Sequence, residues 1–441
     1  MKKILLIAPI SPFYRPSIIG TAPLSGLLIL ATILRDRGHS VRVIDETITN
    51  LNYTKIGDVD VVLITAMSAT VKRAYTIADI FHNKGVTTIL GGIHVSFQPE
   101  EALQHCSQVV LGEAEDVIID VVEGRRNERI VNGGRISDLS TVPIPDYTLV
   151  EGLSNHPEVI GISTSRGCPF SCTFCSLHPY FGRDLRLVPI NKVIAFLSQF
   201  KTIKKLSFHD ANFGMHEKTA VSLLQQMKEH GISPRYSLVL QSIGVANYDT
   251  ILKLMTEVSN FHLLIGFESL CQETLDFYHK KQTPKQIKKT IQKVHDYNIK
   301  IMGNFVFGAD TDDNTTFQKI VDFCQYTEID FPGFDCLTPF VGTQLRTNLE
   351  TQHRIFTNDW DFYDMQHAVF YPKRMTPWEL QTGLISAYEN FFSTKRSLTQ
   401  LKRLQFFQSF DNFYSRNYFK KQQKLSEQYL DYLQQLPISQ K

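Results

Sequence analysis

The chain has 441 residues, of which 43% are hydrophobic and 20% are charged, and its formal net charge is +2. This length predicts two to four globular units, and the near-neutral charge argues against nucleic acid or an acidic surface as a partner. Seven cysteines do not suit a secreted disulfide framework, and no apolar run is long enough for a membrane span, so we expect a soluble protein in a reducing cytoplasm.

Residues 1–125 alternate short apolar runs with segments of helical period. Continuous apolar strands separated by amphipathic helices predict a parallel sheet covered on both faces, which is a doubly wound α/β domain. Ligands of such domains bind beyond the carboxyl ends of the strands. No G-x-G-x-x-G motif follows the first strand, which argues against a nicotinamide dinucleotide. The predicted strands are residues 3–8, 41–45, 60–65, 87–91 and 108–111.

Residues 126–150 are polar, contain glycine and end in a proline-punctuated joint, which predicts a linker. Between 151 and 345 the β/α alternation resumes. Six β/α units predict a partial barrel, whose reactive residues cluster at the carboxyl ends of the strands. Residues 346–441 are aromatic, poor in glycine and helical in period at 378–392 and 398–413, which predicts a helical extension. The predicted barrel strands are 159–164, 205–209, 237–240, 262–267, 300–307 and 333–338.

Three cysteines follow the first predicted barrel strand with the spacing C-x3-C-x2-C: Cys168, Cys172 and Cys175. Thiolates this close can hold three irons of a [4Fe–4S] cluster. Because such clusters normally have four protein ligands, one iron would stay open to another molecule. Two alternatives are a zinc site completed by His178, which lacks the usual second pair of ligands, and a chance group of buried thiols.

The cysteine spacing resembles that of the radical S-adenosylmethionine (SAM) enzymes, in which the open iron binds SAM. The resemblance implies that Phe174 faces the adenine of SAM. It also implies that Asp210 and Asn212, after the second barrel strand, approach the amino group of SAM. These residues depart from the commoner glycine-glycine-glutamate form at that position.

The later barrel strands extend the same resemblance. Glu268 and Ser269 follow the fourth strand in a G-x-E-S turn, and the resemblance implies that they face SAM or the substrate. Gly303 and Phe305, on the fifth strand, resemble the family's adenine-facing segment. Glu268 and Asp210 are the candidate catalytic residues.

The first domain resembles the cobalamin-binding domain that precedes the barrel in one large radical SAM group. The resemblance lies in the loop at 21–27 and in the turns after the third, fourth and fifth strands. The D-x-H-x-x-G motif, whose histidine binds cobalt, is absent, and we expect His94 to be a turn or surface histidine. The domain either binds cobalamin without that histidine or only supports the fold. Its candidate cofactor residues are Ser25, Ser68, Gly91, Gly92 and Glu113.

The resemblance as a whole implies a [4Fe–4S]-dependent radical SAM enzyme, and first of all a cobalamin-dependent C-methyltransferase acting on a lipid or secondary metabolite. The alternatives are a cobalamin-independent radical SAM enzyme (a dehydratase, an epimerase or a ring-forming enzyme) and a non-catalytic iron–sulfur electron-transfer protein. An electron donor such as flavodoxin or ferredoxin is the expected protein partner.

The C-terminal extension resembles that of the subgroup containing hopanoid-modifying enzymes. We expect it to pack over the open end of the barrel, where its aromatic residues either form ordinary core or line a lipid pocket. The basic pairs at 395–396 and 402–403 are interpreted as a solvated helix face, with contact to a membrane surface as the alternative.

Overall fold

The computed structural model of the chain describes residues 1–13, 22–54, 56–153, 157–200, 202–394, 396–398, 416 and 427–437. Two parallel six-stranded sheets form the frame of this part of the molecule. None of its helices is both long enough and apolar enough to cross a bilayer.

The first sheet has the strand order β2-β1-β3-β4-β5-β6 and is parallel throughout. Its inner strands are fully buried because helices cover both faces, which confirms the predicted doubly wound domain. The strand order reverses between β1 and β3, and such a switch point opens a ligand crevice at the carboxyl ends of the strands. The strands are β1 Lys3–Ala8, β2 Ser40–Asp45, β3 Val61–Thr65, β4 Thr87–Gly91, β5 Gln108–Gly112 and β6 Ile130–Gly134. The helices are α1 Ser25–Asp36, α2 Val71–His82, α3 Ile93–Phe97, α4 Pro99–Ala102 and α5 Ile118–Val122.

Strand β6 lies within the predicted linker at 126–150, which is therefore not a linker throughout. Because β6 ends in two glycines, its sequence does not form a run of apolar residues, and the strand was not predicted. The structure needs one of them, because a side chain at Gly133 would collide with the backbone carbonyl of Glu113. The proposed domain boundaries at 125, 150 and 345 stay a prediction.

The second sheet pairs consecutive parallel strands in the order β14-β13-β12-β11-β10-β7, as expected of a partial barrel. A small hairpin of β8 and β9 flanks the cysteine loop. The barrel strands are β7 Val159–Ile162, β10 Lys205–Phe208, β11 Tyr236–Gln241, β12 Asn260–Glu268, β13 Lys300–Phe307 and β14 Phe331–Cys336. The hairpin strands are β8 Ser165–Arg166 and β9 Arg186–Leu187. The helices are α6 Leu177–Phe181, α7 Ile190–Leu197, α8 Glu217–Glu229, α9 Asp249–Val258, α10 Gln272–Phe277, α11 Pro284–Asp296 and α12 Thr316–Tyr326.

The extension contributes α13 Gln344–Thr351, α14 Pro377–Phe391 and α15 Glu427–Gln434. Helix α14 begins with a capping box in which Thr376 and Glu379 satisfy each other's backbone N–H groups. It packs against α12 and the edge strand β14, where the Tyr388 hydroxyl accepts a hydrogen bond from Phe334 N (3.0 Å) and donates one to Phe334 O (2.8 Å). The described part of the extension therefore closes the open edge of the barrel sheet.

Most of the second predicted extension helix, at 398–413, falls outside the described residues, as do Lys395, Lys402 and Arg403. The remaining member of the two basic pairs, Arg396, does not lie on a solvated face. Its guanidinium carbon lies 3.9 Å from the centre of the Phe391 ring. Burial lowers the pKa of Arg396, and the prediction of a solvated basic face is wrong at this residue.

Candidate functional site

The three cysteines lie on one loop between β8 and α6, at the carboxyl end of the barrel. The loop turns at Gly167, whose φ of +94° and close contact with the Asp184 carbonyl leave no room for a side chain. Cys168 N donates to Gly182 O (3.1 Å), and Thr173 N donates to Tyr278 O (3.3 Å), so both ends of the loop are fixed.

All three thiols are half-buried. Burial raises the pKa of Cys172 to about 11, so this thiol stays protonated at neutral pH until a metal replaces the proton. Among the described residues, no three His, Cys, Asp or Glu side chains converge closely enough to hold a single metal ion. Three thiolate donors on one loop are the ligand type that [4Fe–4S] clusters use, with each thiolate on its own iron. The donor set therefore fits three irons of a [4Fe–4S] cluster.

Glu268 lies at the end of β12 and forms an ion pair with Lys280, with 2.9 Å between Oε1 and Nζ. Its backbone is left-handed (φ 63°) and follows a register shift in the sheet. A side chain at Gly266 would collide with the Glu268 carboxylate, which explains the glycine of the G-x-E-S turn. Burial acts to lower the pKa of Lys280, but Glu268 and Cys172 outweigh it and raise that pKa. A buried ion pair thus stands beside the cysteine loop.

A cavity of about 190 Å³ opens beside Cys172, and Lys280 and Ser242 line it. Asn212 holds Ser242 in the wall of this cavity, because its Oδ1 accepts a hydrogen bond from Ser242 N (2.9 Å) and its Nδ2 donates to Ser242 Oγ (3.1 Å). The predicted cofactor residue Asn212 therefore joins the ends of β10 and β11 and shapes the cavity.

Asp210 faces the turn between β7 and β8, away from this cavity. Its carboxylate accepts hydrogen bonds from Thr164 N (3.1 Å), Thr164 Oγ1 (2.8 Å) and Ser165 Oγ. Both carboxylate oxygens of Asp210 thus have partners within the protein, and its predicted catalytic and SAM-binding roles stay a prediction. The residue fixes the start of the cysteine loop.

Phe174 packs edge-to-face on Tyr278, with ring centroids 5.0 Å apart. Tyr278 is fully buried, and its hydroxyl has no hydrogen-bond partner within the described part of the chain. The Ser269 hydroxyl accepts a hydrogen bond from Cys271 N (3.1 Å) and so caps the loop after β12, while its predicted contact with SAM or the substrate stays a prediction.

Gly303 and Phe305 lie on the face of β13 that packs away from the barrel interior, and their predicted contact with the cofactor stays a prediction. Phe305 is fully buried and packs on Phe323 of α12, with centroids 6.2 Å apart. Because side chains alternate along a strand, the barrel interior instead receives Asn304. Its Nδ2 donates to Asp335 Oδ2 (3.3 Å) on β14. Burial raises the pKa of Asp335 to about 7. The only sequence signal for these residues was a lone polar side chain in each apolar strand.

Glu113 directly follows β5 at the carboxyl edge of the first sheet, and its side chain contacts the barrel. Arg186 donates to it through both terminal nitrogens, each at 2.7 Å, and Ile136 N donates at 2.7 Å. Arg166, on the neighbouring strand β8, pairs with Glu113 at 3.4 Å and with Glu115 at 2.6 Å. The predicted cobalamin contact is therefore an ion-pair cluster that joins the first domain to the cysteine hairpin.

Ser25 also lies between the two sheets. Its Oγ is 3.3 Å from Gly161 O on β7 and 3.0 Å from His209 Nδ1 at the end of β10. His209 is exposed to solvent at one side, yet the protein packed around its ring, together with Lys205, lowers the pKa of His209 to about 4. Ser25 therefore contacts a neutral histidine at the mouth of the barrel, and its predicted contact with cobalamin stays a prediction.

His94 is fully buried, so the prediction of a surface histidine is wrong. Its Nδ1 is 3.0 Å from Ser68 Oγ, and its ring packs edge-on against Trp360 of the extension. The buried Nε2 of His94 has no hydrogen-bond partner among the described residues. The predicted role of Ser68 in cofactor binding stays a prediction.

Gly91 and Gly92 form the half-exposed carboxyl end of β4 beside the exposed side chain of Met67. Gly92 has a φ of +102°, and a side chain there would lie 2.7 Å from Ala66 O. This edge offers accessible backbone and no histidine ligand among the described residues. The accessible backbone of this edge could hold the periphery of a cobalamin.

Comparisons with known proteins match this geometry. Residues 162–324 match the radical SAM superfamily, and residues 17–122 match the B12 binding domain. The chain is a radical SAM protein with an N-terminal B12-binding domain. Its cofactors are accordingly a [4Fe–4S] cluster, SAM and cobalamin, as the resemblance implied.

Two curated relatives of this radical SAM protein come from Chlorobaculum tepidum. Bacteriochlorophyllide d C-8(2)-methyltransferase is 29% identical over 388 residues, which cover 83% of this chain and 85% of the relative. Bacteriochlorophyllide d C-12(1)-methyltransferase is 28% identical over 421 residues, covering 92% and 90%. The solved structure of TsrM from Kitasatospora setae, a radical SAM methyltransferase with cobalamin and a [4Fe–4S] cluster bound, shares the fold. Its TM-score is 0.70 at 16% identity, over 96% of this chain and 99% of that one.

Proposed function

We propose that the protein is a cobalamin-dependent radical SAM C-methyltransferase that acts at an unactivated carbon of a large, mainly apolar metabolite, such as a lipid or a tetrapyrrole. The observation that carries the proposal is the ion-pair cluster of Glu113, Arg166 and Arg186. It ties the ligand edge of a B12-binding domain to the hairpin that bears a three-cysteine loop. The two curated relatives methylate a tetrapyrrole, which supports the substrate class.

In this proposal Cys168, Cys172 and Cys175 hold the cluster, and Lys280 offers an ammonium group beside them that suits the carboxylate of SAM. Glu268 keeps Lys280 charged and oriented, and Asp210 positions the start of the cysteine loop. When bound, the cluster supplies the electron that cleaves SAM to a 5′-deoxyadenosyl radical, and cobalamin supplies the methyl group.

Radical chemistry requires a site that excludes water, and one end of the barrel is packed with aromatic rings. At the amino ends of the strands the His262 ring lies between Tyr236 and Phe331, with centroid distances of 5.8 and 6.1 Å. This aromatic layer plugs the bottom of the barrel. The interior above it carries the apolar, partly buried Leu238 and Leu264, which suits an apolar substrate.

The test uses protein reconstituted anaerobically with iron and sulfide and supplied with cobalamin and SAM carrying a trideuterated methyl group. Dithionite should release 5′-deoxyadenosine, and metabolite extracts should gain a trideuteromethyl mass. Cys172→Ala should abolish both products, whereas Cys271→Ala, which removes an exposed cysteine outside the loop, should abolish neither. Absence of 5′-deoxyadenosine from the wild-type protein would refute the enzyme assignment. Cleavage by a protein without corrinoid absorption would refute the cobalamin dependence.

We also propose a reducing cytoplasmic location and a one-electron donor of the flavodoxin or ferredoxin type. Free cysteines in a loop that must bind iron require a compartment that does not oxidise them to disulfides. Reduction of the cluster requires an electron from outside this chain.

A further inference from the structure

The outer side of the cysteine loop borders a surface cavity of about 380 Å³. Residues 169–171, which connect the first two cysteines, form its floor. The cavity therefore lies where only a short stretch of loop separates the thiols from solvent. We name this surface the cluster-loop face and define it by residues 169–171 with Arg183, His279 and Lys281.

Positive charge dominates the cluster-loop face. The exposed Arg183 guanidinium is held over the loop by hydrogen bonds to Pro169 O from Nη2 (3.1 Å) and Nε (3.3 Å), and no carboxylate in the described ranges pairs with it. Lys281 is exposed and likewise forms no ion pair within those ranges. Of the described side chains that line the cavity, only Asp276 is acidic, and its Oδ1 accepts a hydrogen bond from Gln272 Nε2 (2.8 Å).

Apolar groups lie beside these charges. Pro169 and Phe170 are half-exposed on the floor, and the Phe277 side chain is 44% exposed next to Asp276. His279 ties this rim to the floor, because its Nδ1 donates to Ser171 O (3.2 Å). An apolar centre with a charged rim is the usual composition of a protein–protein interface, and a small reductant would need neither.

We propose that the cluster-loop face is the docking site of a small acidic one-electron carrier protein. The proposal rests on the proposed function, because only a radical SAM cluster held by Cys168, Cys172 and Cys175 needs this reduction. One electron leaves the reduced carrier, which is oxidised by one electron, and reduces the cluster by one; no atom passes between the proteins. Docking here brings the carrier to the thinnest protein layer over the cluster, and complementary charge steers it there.

The probe is a purified acidic flavodoxin in its hydroquinone form. Its oxidation by reconstituted protein is followed by stopped-flow absorbance, and its affinity by surface plasmon resonance, each at low and high salt. Lys281→Glu and Arg183→Glu should each lower the second-order rate constant about tenfold at low salt, and the difference should vanish at high salt. Lys319→Glu, the same charge reversal at an exposed site on α12, should change neither rate nor affinity. Dithionite-driven formation of 5′-deoxyadenosine is measured separately in each variant, because Arg183 contacts the cysteine loop and Lys281 also lines the cavity beside Cys172. For Lys319→Glu it should equal the wild-type value.

The outcomes separate the two proposals. Equal flavodoxin rates and affinities for the wild-type protein and Lys281→Glu would overturn the docking site, as would an equal loss in Lys319→Glu. Arg183→Glu also alters a contact to the cysteine loop, so the iron content of this variant is measured. If Arg183→Glu has lost iron, the result for Lys281→Glu alone decides whether the docking site stands. Failure of dithionite to cleave SAM with the wild-type protein would overturn the proposed function, and flavodoxin affinity would still decide the docking site.

Discussion

Replacement of Lys280 by methionine tests the buried ion pair beside the cysteine loop. The Lys280 side chain is 16% exposed and the Glu268 side chain 9%, with 2.9 Å between the charged atoms. Loss of the ammonium group strands a carboxylate in a poorly solvated site, which costs about 3–5 kcal/mol. For a folding unit of the size of the barrel this corresponds to a fall of about 10 °C in Tm.

The assay is thermal unfolding of metal-free protein, followed by circular dichroism at neutral pH. The double variant Lys280→Met with Glu268→Gln should recover most of the lost stability, because it also removes the stranded charge. The control is Lys228→Met, which breaks an ion pair with Glu257 of the same 2.9 Å length but with side chains 57% and 31% exposed. Such a surface pair is worth about 1 kcal/mol or less.

Gly266→Ala tests the same pair without removing a charge. Its new Cβ would collide with the Glu268 carboxylate and lie 3.1 Å from Lys280 Nζ, so the carboxylate must move off the lysine. Gly26→Ala meets no atom within 4 Å and should not destabilise the protein. The reasoning is refuted if Lys280→Met costs no more than Lys228→Met, or if the double variant is no more stable than Lys280→Met.

Three further predictions concern the frame of the site. Glu113→Gln strands the buried Arg186 guanidinium and should lower the urea midpoint by an amount equivalent to about 3 kcal/mol; an unchanged midpoint would contradict the ion-pair assignment. Burial and Lys300 lower the pKa of His262 from its ordinary 6.5 to about 4. The unfolded chain therefore binds this proton more readily than the folded protein, so the free energy of unfolding should be highest above pH 6.5 and should fall as the pH drops towards 4. His262→Gln should flatten this pH dependence. An equal dependence of stability on pH in the variant would show that His262 is not its source. Tyr388→Phe leaves Phe334 N–H unpaired in the core and should cost about 1–3 kcal/mol in chemical denaturation, whereas no loss would show that the edge strand needs no cap.

The sequence predicted both sheets because strands buried on both faces are continuous apolar runs, and helical periods separate them. Strand β6 was not predicted because it is an edge strand with few apolar residues and two glycines. Only its pairing with β5 makes it a strand. Tertiary pairing of this kind has no local signal.

The cysteine loop could be predicted because all of its ligands are close in sequence. Lys280 could not, since it reaches Glu268 from a loop twelve residues further on. The sequence likewise does not show which neighbours a carboxylate side chain points towards. Asp210 and Glu268 both follow strands, yet Asp210 turns to the backbone of the preceding strand and Glu268 turns to a lysine.

Strand parity decides which face of β13 a side chain occupies. The motif resemblance points to a strand, but side chains one residue apart point to opposite faces. In β13 the apolar Ile301, Phe305 and Phe307 are fully buried, while the polar Asn304 is only partly buried. The polar residue therefore marks the interior face, a criterion that is available from the sequence alone.

The contacts of the cysteine loop explain why the two domains must act together. Tyr180, just after the loop, donates from its hydroxyl to Gly112 O (2.7 Å), and Arg186 binds Glu113. Both contacts reach the end of β5, from segments that follow the cysteines within eleven residues. The loop is therefore fixed to the edge of the first sheet where ligands bind. A shift of the B12-binding domain would move the cysteines with it, so this anchoring sets the separation between the two cofactor sites.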